Sequence, residues 1–153
     1  MSVELGLFDE VADALHGLVD PGFGRLCTQP RRWGVKVWFD APECPRQHYE
    51  AQVLSAKHVD DAEVLALEIG FHAEHPKPAD NAAVAAVLAG VEDRWRAELG
   101  DAAVLGPFLG RTTWRRLSET WADPDLSDPE LCLEVADRLA SYVAAVEPVL
   151  ARR

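Results

Sequence analysis

Cysteine is scarce in this chain of 153 residues: Cys27, Cys44 and Cys132 are far apart, and no C-x-x-C pair occurs. A disulfide framework needs an even set of cysteines, and a structural zinc site of the common kind needs closely spaced pairs. We therefore expect three reduced thiols and a location in a reducing compartment, the cytoplasm.

Long apolar runs are missing too. The first residues are acidic and periodic, without the basic start and apolar segment of a secretory signal. No stretch approaches the roughly 20 apolar residues that a helix needs to cross a bilayer. These absences predict a soluble protein that does not associate with membranes. Abundant alanine, and arginine in excess over lysine, are typical of a high-GC bacterial genome.

Positive charge is in short supply. Lysine and arginine number 15 against 26 acidic residues, which gives a formal net charge of −11. Nucleic-acid binding depends largely on lysine and arginine contacts with phosphate, so we expect no nucleic-acid partner. Two short basic runs, Arg31-Arg32 and Arg115-Arg116, are candidates for binding one small anion; solvated or carboxylate-paired side chains are the alternative.

Catalytic signatures are also absent. The sequence "HAEHP" lacks the H-E-x-x-H spacing of zinc proteases, and neither a G-x-S-x-G elbow nor a P-loop lysine occurs. We therefore expect no cofactor, and no motif indicates whether the protein is an enzyme.

What the sequence does contain is a clear succession of helical and strand patterns. Apolar spacing predicts helices over about 3–19, 80–99 and from 127 onward, and strands over "VKVWFD", within 48–75 and over 112–121. The predicted order is α-β-β-β-α-β-α, a single α+β domain over 1–153. It would have an antiparallel sheet of about four strands, with helices packed on one face.

The segment 48–75 predicts a β-hairpin that holds four of the five histidines. With the turn centred on Asp61, the alternation buries Val53, Ile69 and Phe71 on one face. On the other face this register pairs residues whose numbers sum to 122: His48 with Glu74, Glu50 with His72, and Gln52 with Gly70.

This polar face is the candidate ligand-binding site, and Lys36 and Trp38 extend it from the neighbouring strand. Its proposed residues are Lys36, Trp38, His48, Glu50, Gln52, His72 and Glu74. Three hypotheses compete: an ordinary solvated sheet face, a surface that binds a small molecule or a second subunit, and a catalytic cluster. The preferred function is a small cytoplasmic binding or interaction domain, with self-association as a homodimer. The alternative is a metal- or His/Glu-dependent enzyme.

For the histidine and glutamate side chains we expect no stable metal ion. On a flat sheet, diagonal neighbours are separated by roughly 7–8 Å, which is too far for ligands of one ion. A solvated face also predicts that replacing both His48 and His72 by alanine changes stability only modestly.

Overall fold

The computed structural model describes residues 2–150, with side chains from residue 6 onward. This part of the chain forms four α-helices and six β-strands. The helices are α1 (Ser2–Leu15), α2 (Pro78–Ala89), α3 (Glu92–Leu99) and α4 (Leu131–Leu150). The strands are β1 (Leu26–Arg31), β2 (Gly34–Phe39), β3 (Gln47–Ser55), β4 (Leu65–Ala73), β5 (Val104–Phe108) and β6 (Arg111–Ala122).

The six strands form one sheet in the order β1-β2-β3-β4-β6-β5, and every neighbouring pair is antiparallel. The α+β class and the antiparallel sheet are thus confirmed. The predicted count of about four strands is wrong, and so is the predicted element order, because β1 and β5 were not foreseen.

Both unforeseen strands lie at the edges of the sheet. Each contains a proline, Pro30 in β1 and Pro107 in β5. Proline cannot donate to a strand ladder, so it argues against a central strand but is tolerated at an edge. Sequence patterns that rely on alternation therefore miss these two strands.

The helices pack on one face of the sheet. Phe8 and Val11 of α1 and Leu139 and Val146 of α4 are fully buried in one hydrophobic cluster with the apolar face of the strands. The predicted 80–99 helix is in fact two helices, which separate at Gly90 and Val91. Of the helices between residues 2 and 150, none is long and apolar enough to span a membrane.

The hairpin of β3 and β4 forms with the predicted faces but a different register. Residues whose numbers sum to 120, rather than 122, lie opposite one another, so His48 faces His72 and Glu50 faces Gly70. A shift of two residues keeps every side chain on its predicted face. Ile69 and Phe71 are buried, as predicted, whereas Val53, which was predicted to be buried with them, is partly buried and packs against the core.

The register is set by the loop between the two strands. A short 3-10 turn, Ala56–His58, follows β3 directly. At the other end of the loop, the amides of Glu63 and Val64 donate to the Asp123 carboxylate at 2.9 and 2.7 Å. Because Asp123 follows β6, this loop is fixed by a distant part of the chain.

The polar face of the sheet is covered as well. The Phe108 ring, near the tip of the β5–β6 hairpin, packs edge-on at 4.7 Å from the His72 ring. At the tip itself Gly110 adjoins His58, since a β-carbon there would lie 3.1 Å from the imidazole Cε1. The hairpin thus folds over the polar face and shields part of it from water.

Candidate functional site

Four polar side chains of β3, β4 and the residue after β4 converge under this cover. Nε2 of His48 lies 3.1 Å from Glu50 Oε1 and 3.6 Å from Glu74 Oε2. Nδ1 of His72 lies 3.2 Å from each of the same two oxygens. One nitrogen or oxygen from each residue falls within 4.8 Å of all the others. We call these four residues the His/Glu cluster.

The observed register explains why the side chains can meet. His48 and His72 are directly opposite each other, and Gly70 is opposite Glu50. Glu50 therefore has no side chain opposite it on β4, and its carboxylate lies 3.2 Å from His72 Nδ1. On β4 itself His72 and Glu68, four residues apart, approach to 2.7 Å. The register thus brings both carboxylates to the His72 ring.

The outer nitrogen of each histidine has its own acceptor. Nδ1 of His48 donates to the Pro45 carbonyl oxygen at 2.9 Å. Nε2 of His72 donates to the Glu68 carboxylate at 2.7 Å. A carbonyl or carboxylate oxygen can only accept, so these two nitrogens carry protons. The remaining nitrogens, His48 Nε2 and His72 Nδ1, are therefore the ones that face Glu50 and Glu74.

Glu68 is a site residue that the sequence reasoning missed. Its side chain is fully buried, and it also accepts a hydrogen bond from Gln52 Nε2 at 3.0 Å. The sequence did contain a signal for it, because Glu68 and His72 are four residues apart on one strand and their side chains therefore lie on the same face. The predicted register placed it opposite Leu54, away from the other charges, whereas the observed register places it opposite Gln52.

The site is buried, in contrast to the solvated sheet face that was one of the three hypotheses. His48 is 3% exposed and His72 is 0% exposed, so the solvated-face hypothesis is wrong for this part of the sheet. Trp38 is also buried, and its indole nitrogen donates to the Ala41 carbonyl at 2.8 Å. It is therefore not an exposed recognition aromatic.

The other predicted site residues lie beside the His/Glu cluster. Lys36 is opposite Glu50 on the β2–β3 ladder, and with Gln52 it lines a groove that also contains Arg31 and Arg32. The second basic run, Arg115-Arg116, lies on β6 and does not line this groove. Arg116 is opposite His72. Its guanidinium donates to the Ser118 hydroxyl at 2.9 Å.

The buried charges stabilise one another. Burial alone would lower the pKa of His48, but contacts with Cys44, Glu50 and Glu74 outweigh it and raise that pKa to about 9. Burial likewise opposes the charge of Glu50, yet hydrogen bonds from both histidines lower its pKa to about 2. The pKa of His72 is raised well above its usual value, against burial, chiefly by Glu68. Without a metal ion, both imidazoles therefore carry a proton on each ring nitrogen, and a positive charge, at neutral pH.

The stability of the metal-free protein should consequently fall as the solution becomes alkaline. The folded protein holds the His48 proton up to pH about 9, whereas the unfolded chain releases it near 6.5. The stabilisation from this group is complete below pH 6.5 and is lost as the pH rises through about 9; it amounts to about 3 kcal/mol.

Urea unfolding between pH 6 and pH 9.5, in the presence of a chelator, measures this loss. His48→Ala should show a shallower decline, because only the contribution of His72, whose pKa is also raised, would remain. An equal pH dependence in the two proteins would contradict the assignment to His48.

The predicted separation of diagonal neighbours does not apply to the ligand atoms of the His/Glu cluster. The diagonal side chains are close enough to share one ion, because the four candidate ligand atoms lie within 4.8 Å of one another. Comparisons with protein-family models, with curated proteins and with solved structures found no match to this chain.

Proposed function

We propose that this protein binds a divalent transition-metal ion through the His/Glu cluster. The ligands would be His48 Nε2, His72 Nδ1 and one carboxylate oxygen each from Glu50 and Glu74. The observation that carries the proposal is the orientation of the histidines. Each outer nitrogen donates to an oxygen, Pro45 O or Glu68, so each inner nitrogen is directed at the same two carboxylates.

The spacing of the ligand atoms supports this proposal. Ligands held about 2.0–2.1 Å from a tetrahedral zinc ion lie about 3.3 Å from one another. The four histidine–carboxylate distances in the cluster are 3.1, 3.6, 3.2 and 3.2 Å, close to this value. The other two pairs of ligand atoms lie within 4.8 Å, so they would have to approach for a tetrahedral shell to form. A hydrogen-bonded carboxylate behind a ligating histidine, the position of Glu68, is also the common supporting arrangement at zinc sites.

The charge balance supports it as well. The carboxylates of Glu50, Glu68 and Glu74, together with the nearby Arg116, leave a formal charge of about −2 if both histidines are neutral. Two histidine protons or one divalent cation neutralise that charge equally well. Metal binding should therefore displace about two protons.

The ligand set indicates the class of ion and its role. Two imidazole nitrogens with two carboxylate oxygens suit zinc and similar transition metals better than magnesium, which prefers six oxygens. Four protein ligands complete a tetrahedral shell, as in structural rather than catalytic zinc sites. The bound ion would tie β3 to the end of β4. The proposed function is thus metal binding on the polar sheet face, without a catalysed reaction.

Calorimetric titration of the chelator-treated full chain with zinc tests the proposal. We expect one zinc ion per chain, with a dissociation constant of about 1 µM or lower, and no response to magnesium. Repeating the titration at pH 7 in buffers of different ionisation enthalpy should give about two protons released per ion.

Variants distinguish zinc binding at the His/Glu cluster from non-specific binding by an acidic protein. Glu74→Gln changes a ligand at the rim of the cluster, where its side chain is 13% exposed, so the fold should survive while zinc binding weakens strongly. Glu68→Gln should weaken binding about 10- to 100-fold through His72. His16→Ala, at an exposed position directly after α1, is the control. Zinc affinity that is equal in Glu74→Gln and His16→Ala would rule out the site.

A further inference from the structure

A second site lies next to the His/Glu cluster, on the outer part of the same sheet face. Strands β1, β2 and β3 form a groove there of about 320 Å³. Its walls are basic, amide and aromatic side chains: Gln29, Arg31, Arg32, Trp33, Lys36 and Gln52. We name it the basic groove.

The strand register explains why this space is open. Arg31 of β1, Gly34 of β2 and Gln52 of β3 are cross-strand neighbours and form one row across the sheet. Gly34, in the middle of this row, has no side chain. In the next row Lys36 lies between Gln29 and Glu50. The basic side chains therefore surround a gap rather than pack against a central residue.

The charge of the basic groove is opposite to that of the whole chain. Arg31, Arg32 and Lys36 are three of only 15 basic residues in a chain of net charge −11. The ion pairs formed by the described residues involve the histidines, Arg96 and Arg138, and none of these three cations. The lining carboxylate, Glu50, is already held by both histidines of the His/Glu cluster. The groove thus offers positive charge that the described part of the protein does not neutralise.

Two of these side chains are oriented for a planar, charged ligand. The Arg31 guanidinium donates to Gln29 Oε1 at 3.0 Å, so one residue lining the groove holds another in place. The Arg32 guanidinium lies 5.0 Å from the centre of the Trp33 ring, and Trp33 is 47% exposed. Guanidinium groups bind carboxylate and phosphate as a fork, and an indole face accepts a stacked ring.

We propose that the basic groove binds a small aromatic anion, with its acidic group at Arg31 and Lys36 and its ring against Trp33. The acidic group is a phosphate or a carboxylate, since both fit a guanidinium fork. This site goes beyond the proposed metal function and is independent of it, although Glu50 borders both.

The test uses the metal-free full chain, so that its failure leaves the zinc experiment unaffected. Phenyl phosphate and benzoate are titrated separately at low salt, and ¹⁵N NMR follows the Trp33 indole N–H. We expect that signal to shift with a dissociation constant of about 1 mM or lower for at least one of the two anions. Phenol, which has the ring without the anion, should bind more weakly.

Charge-matched variants complete the test. Arg31→Gln with Lys36→Gln should weaken binding about tenfold or more, because it removes two charge-assisted contacts. Lys57→Gln with Lys77→Gln removes the same charge from exposed positions outside the groove and should leave the affinity nearly unchanged. Lack of any shift at Trp33 with both anions, or equal weakening in the two double variants, would overturn the proposal.

Discussion

Replacing Gly70 by alanine is expected to lower the free energy of unfolding by about 3 kcal/mol or more. A β-carbon at this position would lie 2.5 Å from Ser118 Cα on the neighbouring strand β6. Backbone atoms in the middle of a sheet cannot move aside as a flexible side chain can. Urea unfolding at pH 7 measures the loss.

Gly106→Ala is the matched control for this substitution. Gly106 lies on β5, in the same sheet, and a β-carbon there would have no neighbouring atom within 4 Å. Its free energy of unfolding should therefore stay within about 0.5 kcal/mol of that of the unmodified protein. If Gly70→Ala were as stable as Gly106→Ala, the close contact of β4 with β6 would be wrong.

Replacing His72 by alanine should destabilise the metal-free protein by about 3–5 kcal/mol at pH 7. Glu68 is 0% exposed, and His72 is the group that neutralises it at 2.7 Å. Removing the imidazole leaves a buried carboxylate with too little compensation. This replaces the modest effect that a solvated sheet face predicted for changes at His48 and His72.

A second substitution identifies the cause. If the uncompensated charge is responsible, adding Glu68→Gln to His72→Ala should restore part of the lost stability, because the amide is neutral. His16→Ala, at an exposed position, should change stability by no more than about 0.5 kcal/mol. A double variant that is less stable than His72→Ala alone would indicate that lost packing, rather than buried charge, dominates.

The gathering of histidine and glutamate residues could be predicted because strand alternation is a local property. Side chains along a strand alternate between faces with a period of two, and burial of one face fixes which set points inward. The apolar set with Val53, Ile69 and Phe71 therefore identified His48, Glu50, His72 and Glu74 as sharing the opposite face. The clear helical stripes likewise identified the class of the fold.

The exact pairing within the hairpin could not be predicted in this way. A shift of two residues leaves every side chain on the same face, so burial does not distinguish a sum of 120 from one of 122. The choice depends on the 3-10 turn Ala56–His58 and on Asp123, which holds the amides of Glu63 and Val64. That contact spans 60 residues of sequence.

The sequence by itself determined the α+β class, the antiparallel hairpin and the residues that share its polar face, because these follow from periodicities of two and 3.6 residues. Only the tertiary structure decided that this face is covered, that Glu68 supports His72, and that Arg31, Arg32 and Lys36 border one groove. Each of these depends on which distant strands lie side by side and on where Phe108 packs. Such contacts leave no periodic signal in the sequence, since they join segments whose spacing along the chain is arbitrary.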